Sequence, residues 1–195
     1  MAVFFNRRRS AGSINLLPAG YTQLEYIENS GTQYINTGYM PNNYTKLDIV
    51  VESDATMGGV AVCDAAWLSD GFGVWIHCAC FGDSVKQDLA FMGAKTNLVL
   101  DKGILYQDGE EIWSASGTFQ TTCALTLFAL NRNGSMTEFI SSAKIYSCKL
   151  YNNNELIRNF IPCKNPMQDV GMYDTVTAAF YGNEGSGAFI AGPEV

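Results

Sequence analysis

The chain has 195 residues, 47% of them hydrophobic and only 16% charged, with 3 Trp, 10 Tyr and 11 Phe. That composition excludes a disordered chain, which is marked by low hydrophobicity and high charge. It suits one domain long enough to hold a core without disulfide or metal staples. The net charge of −7 is unevenly placed: the consecutive Arg7, Arg8 and Arg9 carry +3, leaving −10 on the rest. An acidic body disfavours nucleic acid and anionic membranes as partners. No apolar run approaches the roughly 20 residues of a membrane span.

The chain opens with Ala2, Val3, Phe4 and Phe5, followed by the three arginines. A secretory signal has the reverse order, charge first and then a longer apolar stretch. Nothing of useful amphipathic length follows that would make a presequence. No strand period occurs before Pro18, so residues 1–17 are expected to form an irregular basic and aromatic arm and residues 18–195 a folded domain.

Thr45 to Glu52 has a period of two, with Lys46, Asp48, Val50 and Glu52 on one face and Leu47, Ile49 and Val51 on the other. One wet and one dry face is the pattern of an antiparallel strand. Asp64 to Asp70, with Trp67 at its centre, reads as a loop. Gly71 to Ile76 reads as a strand, and His77, the only histidine, as a packed strand residue. Cys78 and Cys80 would share one strand face. Their spacing is too short for a zinc knuckle. The six cysteines have apolar neighbours, which suits reduced thiols in a core.

Asp108-Gly109, flanked by Ile104-Leu105-Tyr106 and Ile112-Trp113, predicts a tight hairpin. Cys123 to Leu130 is an apolar run of strand length, ended by Asn131-Arg132-Asn133-Gly134. Ala143 to Tyr151 alternates, with Ile145, Ser147 and Lys149 opposing Tyr146, Cys148 and Leu150. Asn152-Asn153-Asn154 turns the chain, Leu156 to Ile161 returns it, and Pro162 is expected to close that strand. The glycine-rich stretch from Gly182 to Gly187 reads as a hairpin turn. No segment has the apolar period and caps of a helix. Roughly a dozen short strands indicate an all-β antiparallel β-sandwich or barrel.

Leu17-Pro18-Ala19-Gly20-Tyr21-Thr22-Gln23-Leu24-Glu25-Tyr26-Ile27-Glu28, followed by Gly31-Thr32-Gln33-Tyr34-Ile35-Asn36-Thr37-Gly38, resembles the entry to a concanavalin-A-like, laminin-G-like jelly roll. Lys144 to Tyr151, Arg158-Asn159-Phe160-Ile161-Pro162-Cys163, Gly171-Met172-Tyr173-Asp174 and Phe180-Tyr181-Gly182-Asn183 resemble its closing part. Such modules occur in structural proteins of tailed bacteriophages and in gut bacteria. The resemblance covers about Leu17 to Val195. It implies a fold more than a function, since one fold hosts many functions.

The wider fold includes glucanases, whose Glu-x-Asp-x-(x)-Glu strand gathers acid, helper and nucleophile. Here Lys46 stands where the first glutamate belongs. Asp48 and Glu52 lie on the order of 13 Å apart along a strand, whereas retaining hydrolysis needs about 5–5.5 Å. Glu25 and Glu28 would lie on opposite strand faces. No nucleophile elbow accompanies His77, and no phosphate-binding or dinucleotide loop is present. The chain is therefore expected not to be an enzyme and to need no cofactor. A calcium site would require Asp64, Asp70 and Asp83 to converge from loops. A glycan contact would use Trp67 with Asp64 and Asp70.

Two functions remain open. One is a structural virion protein of a tailed phage (head fibre, decoration or tail-associated). Phe4 and Phe5 of its arm would fill apolar pockets on another virion protein, and Arg7, Arg8 and Arg9 would bond acidic groups there. The other is a glycan-binding module for receptor recognition or adhesion to host surface sugars. Either would be expected to form a homo-oligomer, since surface assemblies are usually symmetric.

Overall fold

A computed structural model describes residues 16–56, 58–66, 69–89, 93–140 and 142–195, with the backbone alone described for residues 64–66, 69 and 70. The described residues form nineteen strands and no helix. The first eight are β1 (Thr22–Gln23), β2 (Ile27–Asn29), β3 (Ile35–Asn36), β4 (Thr45–Ser53), β5 (Gly59–Ala66), β6 (Ser69–Trp75), β7 (Cys78–Gly82) and β8 (Ser84–Gln87). Next come β9 (Thr96–Asp101), β10 (Ile104–Gln107), β11 (Glu110–Ser114), β12 (Thr126–Leu127), β13 (Leu130–Arg132) and β14 (Ser135–Thr137). The last are β15 (Ala143–Asn152), β16 (Glu155–Lys164), β17 (Val170–Asp174), β18 (Ala179–Tyr181) and β19 (Ile190–Ala191).

The strands make two sheets packed as a β-sandwich. The larger runs β11-β10-β9-β4-β15-β16-β17-β18, with β1 beside β16 and β2 between β15 and β19. The smaller runs β14-β13-β5-β6-β7-β8, with β12 bridging β3 and β5. All these ladders are antiparallel except β5 with β13. The core between the sheets takes Leu47, Ile49 and Val51 from β4 and Leu98 and Leu100 from β9. Phe72, Val74, Ala79 and Phe81 face them from the smaller sheet. Each fully buried side chain of this size contributes about 1.5–3 kcal/mol. Phe72, Phe81 and Phe119 form a ring cluster with centroids 4.9 to 6.4 Å apart.

Four two-residue turns have positive φ at both positions: Lys102-Gly103, Asp108-Gly109, Asn133-Gly134 and Asn153-Asn154. This geometry matches the right-handed twist of the strands it joins. The Asp-Gly, Asn-Gly and Asn-Asn turns follow the sequence expectation. Lys102 is less usual, because lysine rarely adopts its φ of 51°.

Several elements differ from the sequence reading. Residues 64–66, 69 and 70 are not loop but strand: β5 and β6 pair with Asp64 opposite Gly71 and Ala66 opposite Ser69, while Trp67 and Leu68 lie outside the described residues. His77 is not a packed strand residue but an exposed one in the turn between β6 and β7. The apolar run from Cys123 to Leu130 is not one strand. It breaks at Phe128, whose φ is 69°. Thr126 stabilises the break by donating its hydroxyl toward the carbonyls of Val62 and Ala129, at 3.1 and 2.8 Å.

In β15 the alternation also breaks. Its register against β4 jumps between Ile145 and Ser147, leaving Tyr146 as the extra residue of a β-bulge. Ile145, Cys148 and Leu150 therefore all reach the core despite the odd spacing of the first two. Pro162 does not close β16, which runs on to Lys164. There β15 no longer pairs with β16, so no ladder needs the missing N–H, and the Pro162 carbonyl accepts the Leu24 N–H at 2.9 Å. Gly182 to Gly187 is no hairpin, since β18 pairs with β17 while β19 pairs with β2.

Candidate functional site

The face of the large sheet turned away from the core carries most of the ion pairs among the described residues. The period of β4 places Lys46, Asp48 and Glu52 there. Lys46 Nζ lies 3.4 Å from Asp101, and Lys144 Nζ lies 2.6 Å from Glu52 Oε1. Asp48 stands opposite Lys149 and accepts the Asn97 amide at 2.8 Å. The bulge at Tyr146 completes a denser cluster. Its hydroxyl donates to Glu52 Oε2 at 2.8 Å. Lys95 Nζ sits 3.7 Å from the centre of its ring and 3.6 Å from Glu25. The ring of Tyr26 lies 5.3 Å from that of Tyr146.

These contacts set the protonation of the cluster. Hydrogen bonds from Lys144 and then Tyr146 hold the Glu52 carboxyl below the usual carboxylate range. The Glu52 bond raises the Lys144 ammonium in turn. Burial, followed by the Glu52 bond, raises the Tyr146 phenol. A carboxylate tied to a lysine and a phenol is a structural anchor for the bulge and is poorly placed to give or take a proton. Asp48 and Glu52, weighed in the sequence as a hydrolytic pair, each serve a different cross-strand partner.

The same outer face receives the first described residues. Leu17 packs with Cys163 and Tyr173 in a small second core that also takes in Tyr21, Ile161 and Phe180. The Tyr21 ring meets Tyr173 edge-on at 5.1 Å. Gly20, at φ +87°, turns the chain against Pro166. The C-terminal tail joins here: Glu25 N–H donates to the Pro193 carbonyl at 2.8 Å, and Lys164 pairs with Glu194 at 2.9 Å. Between this root and the Tyr146 cluster runs a groove of about 430 Å³, lined by Leu16, Tyr146, Lys149, Ile161, Pro162 and Val195. Leu16 and Val195 are 55% and 81% exposed at its mouth.

The arm residues Phe4, Phe5, Arg7, Arg8 and Arg9 lie outside the described residues, as does Trp67. Asp64 and Asp70 are placed only by their backbone, offset by one ladder position across the β5–β6 hairpin. Asp83 sits in the turn between β7 and β8. Among the described residues no three His, Cys, Asp or Glu side chains group as metal ligands.

The outer face of the smaller sheet is of a different kind. Val62, Trp75, Cys78, Cys80 and Leu130 form a buried apolar cluster there. Trp75 donates its indole N–H to Glu138 at 3.0 Å, and Arg132 pairs with the same carboxylate at 3.0 Å. Gly73 is required beneath it: its φ is +129°, and a Cβ would stand 2.0 Å from the Ala61 carbonyl oxygen. Burial, with Glu138 adding, pushes the Cys78 thiol up to about 11. Burial likewise pushes Cys163 up to about 12 and raises Cys148. All six cysteines are buried.

The structure thus adds Tyr146, Leu16 and the C-terminal tail to the residues singled out in the sequence. Tyr146 carried no signal, because a bulge is invisible to a period count. The tail carried none, because its partners are distant in sequence. No family model, curated protein or solved structure matches the chain.

Proposed function

We propose that this chain is a non-catalytic structural protein of a tailed-phage particle, attached to another virion protein through its N-terminal arm. The carrying observation is the root of that arm. Leu17 and Tyr21 are packed onto the outer face of the large sheet, and Gln23 and Glu25, which follow them, hydrogen-bond Val195 and Pro193 of the C-terminal tail. The described chain therefore begins at a fixed point at one end of the sandwich. The turns at Lys102-Gly103 and Asn153-Asn154 mark the other end. A domain held at one end presents the other outward, as an attached module requires.

The arm's composition supports the same reading. Phe4 and Phe5 offer apolar anchors, and three adjacent guanidiniums offer charge-assisted bonds to carboxylates. The acidic body would not compete well for phosphate or for an anionic membrane. The resemblance to jelly-roll modules of phage structural proteins agrees with this role.

Deleting residues 1–10 in a phage that encodes the chain tests the proposal. Virions should lose the protein, while the purified truncated chain keeps its β circular dichroism and unfolding midpoint. Full occupancy of virions by the folded, truncated protein would overturn it.

A further inference from the structure

The turn between β13 and β14 holds Asn133-Gly134, the only asparagine in the chain that precedes a glycine. Glycine has no side chain to shield its backbone nitrogen, so the side-chain amide carbon of the preceding asparagine is open to attack. The Gly134 nitrogen would bond to Asn133 Cγ and close a five-membered imide. The Asn133 side-chain nitrogen would leave as ammonia, taking the proton that the Gly134 N–H gives up. Water would then open the imide at either carbonyl, leaving aspartate or isoaspartate. Water is the only other reactant.

The folded turn withholds both the proton and the geometry. Gly134 donates its N–H to Asn131 Oδ1 at 2.8 Å. Asn131 is only 4% exposed, and its own amide donates to the Ala124 carbonyl at 2.8 Å, which keeps its oxygen aimed at Gly134. The Asn133 N–H is held by Cys123 Sγ at 3.1 Å. Pairing of Arg132 with Ser135 closes the turn, with φ of 49° at Asn133 and 89° at Gly134. The Asn133 side chain itself is exposed and makes no hydrogen bond among the described residues. The Asp108-Gly109 turn has the same backbone signs, but no side chain among the described residues accepts its glycine N–H.

We propose that Asn133 is a modification site that deamidates without an enzyme when the β13–β14 hairpin opens, and that Asn131 is the positioning residue that keeps it silent in the folded chain. Local opening of an edge hairpin is cheaper than global unfolding, so the site reports on the hairpin and not on the whole sandwich. The product acts on the fold. Isoaspartate routes the backbone through the side-chain carbon and lengthens a two-residue turn whose twist fits its strands. β14 leads directly into Glu138, whose carboxylate accepts the Trp75 indole N–H and pairs with Arg132. A lengthened turn therefore loosens the cover of Trp75 on the outer face of the smaller sheet. The inference does not rest on the arm or its attachment.

Peptide mapping of the full-length chain, held at mildly alkaline pH in buffer and in concentrated urea, tests it. Asn133 should deamidate roughly tenfold or more slowly in buffer than in urea. Asn131→Ala should raise the rate in buffer roughly fivefold and leave the rate in urea unchanged. Val51→Ala, in the distant core, should lower the unfolding midpoint without that rise. The isoaspartate form, separated after refolding, should unfold at a lower temperature than the parent. Should Asn131→Ala not fold, hydrogen exchange of the parent carries the test, with the Gly134 N–H exchanging more slowly than that of Gly109. Equal rates in buffer and urea overturn the inference. So does an unchanged rate in Asn131→Ala, an equal rise in Val51→Ala, or equal exchange at the two glycines. An isoaspartate form with the parent's midpoint overturns the link to Trp75.

Discussion

The two sheets bury their outer faces differently. β4 and β9 in the large sheet alternate strictly between buried and half-exposed positions, and their outer residues pair by charge. β7 in the smaller sheet is buried at every position, with Cys78 and Cys80 on one face and Ala79 and Phe81 on the other. A strand with one wet face announces itself in sequence. A strand dry on both faces reads only as an apolar run. The large sheet should therefore tolerate change outside its core, and the smaller sheet should tolerate little on either side.

Four expected outcomes sharpen or break that contrast. Gly73→Ala puts a methyl into the Ala61 carbonyl at a φ of +129°. It should cost about 4 kcal/mol or more in urea unfolding, or prevent folding. A cost below about 1 kcal/mol would mean that the outer face of the smaller sheet can yield. Next, matched hydroxyls can be placed on the two outer faces. Cys80→Ser, in the buried cluster, should cost about 1–3 kcal/mol. Val99→Thr, half-exposed on β9, should stay within about 0.5 kcal/mol. Equal costs would remove the distinction.

The third concerns alkaline pH. Cys78 has an ordinary thiol value of 9.0 that folding raises to about 11. A raised value means that the folded state holds the proton more tightly. The contribution is thus complete below pH 9 and lost as pH climbs through the folded value. At pH 10 it should already have fallen by roughly 1 kcal/mol. Cys78→Ala should flatten this slope of stability against pH. The same burial should keep the native thiols from reacting with a thiol reagent until the chain unfolds.

The smallest effect belongs to the large sheet. Glu52 is held below its ordinary value of 4.5 by Lys144 and Tyr146. Its contribution is present above that value and fades as pH falls through the lowered one. Glu52→Gln should cost about 0.5–1 kcal/mol at neutral pH and nothing further in acid, since exposed pairs are weak. A loss above about 2 kcal/mol would show that the bulge cluster is far more than a surface pair.

Much of the fold was legible because its signals are local. The period of Thr45 to Glu52 and the chemistry of Asp108-Gly109 and Asn153-Asn154 each depend on neighbours along the chain. The misreadings share a cause. The polar residues of Asp64 to Asp70 read as turn chemistry, yet β5 and β6 pair as far as Ala66 and Ser69. Pro162 reads as a stop because it lacks an N–H, yet its position in the sheet asks for none. The site was less legible than the fold. The sandwich gathers Glu25, Glu52, Lys95 and Tyr146 into one cluster from four separate segments, and no spacing rule links them.

Composition and period alone therefore determined an acidic all-β domain behind a short basic segment, because hydrophobic alternation and turn chemistry are written residue by residue. Tertiary structure decided which faces stay wet, where Tyr146 bulges out to meet Glu52, and that Gln23 and Glu25, just after the root of the arm, are bound to the C-terminal tail. Those outcomes depend on which strands become neighbours, and strand pairing is settled by long-range burial and not by local pattern.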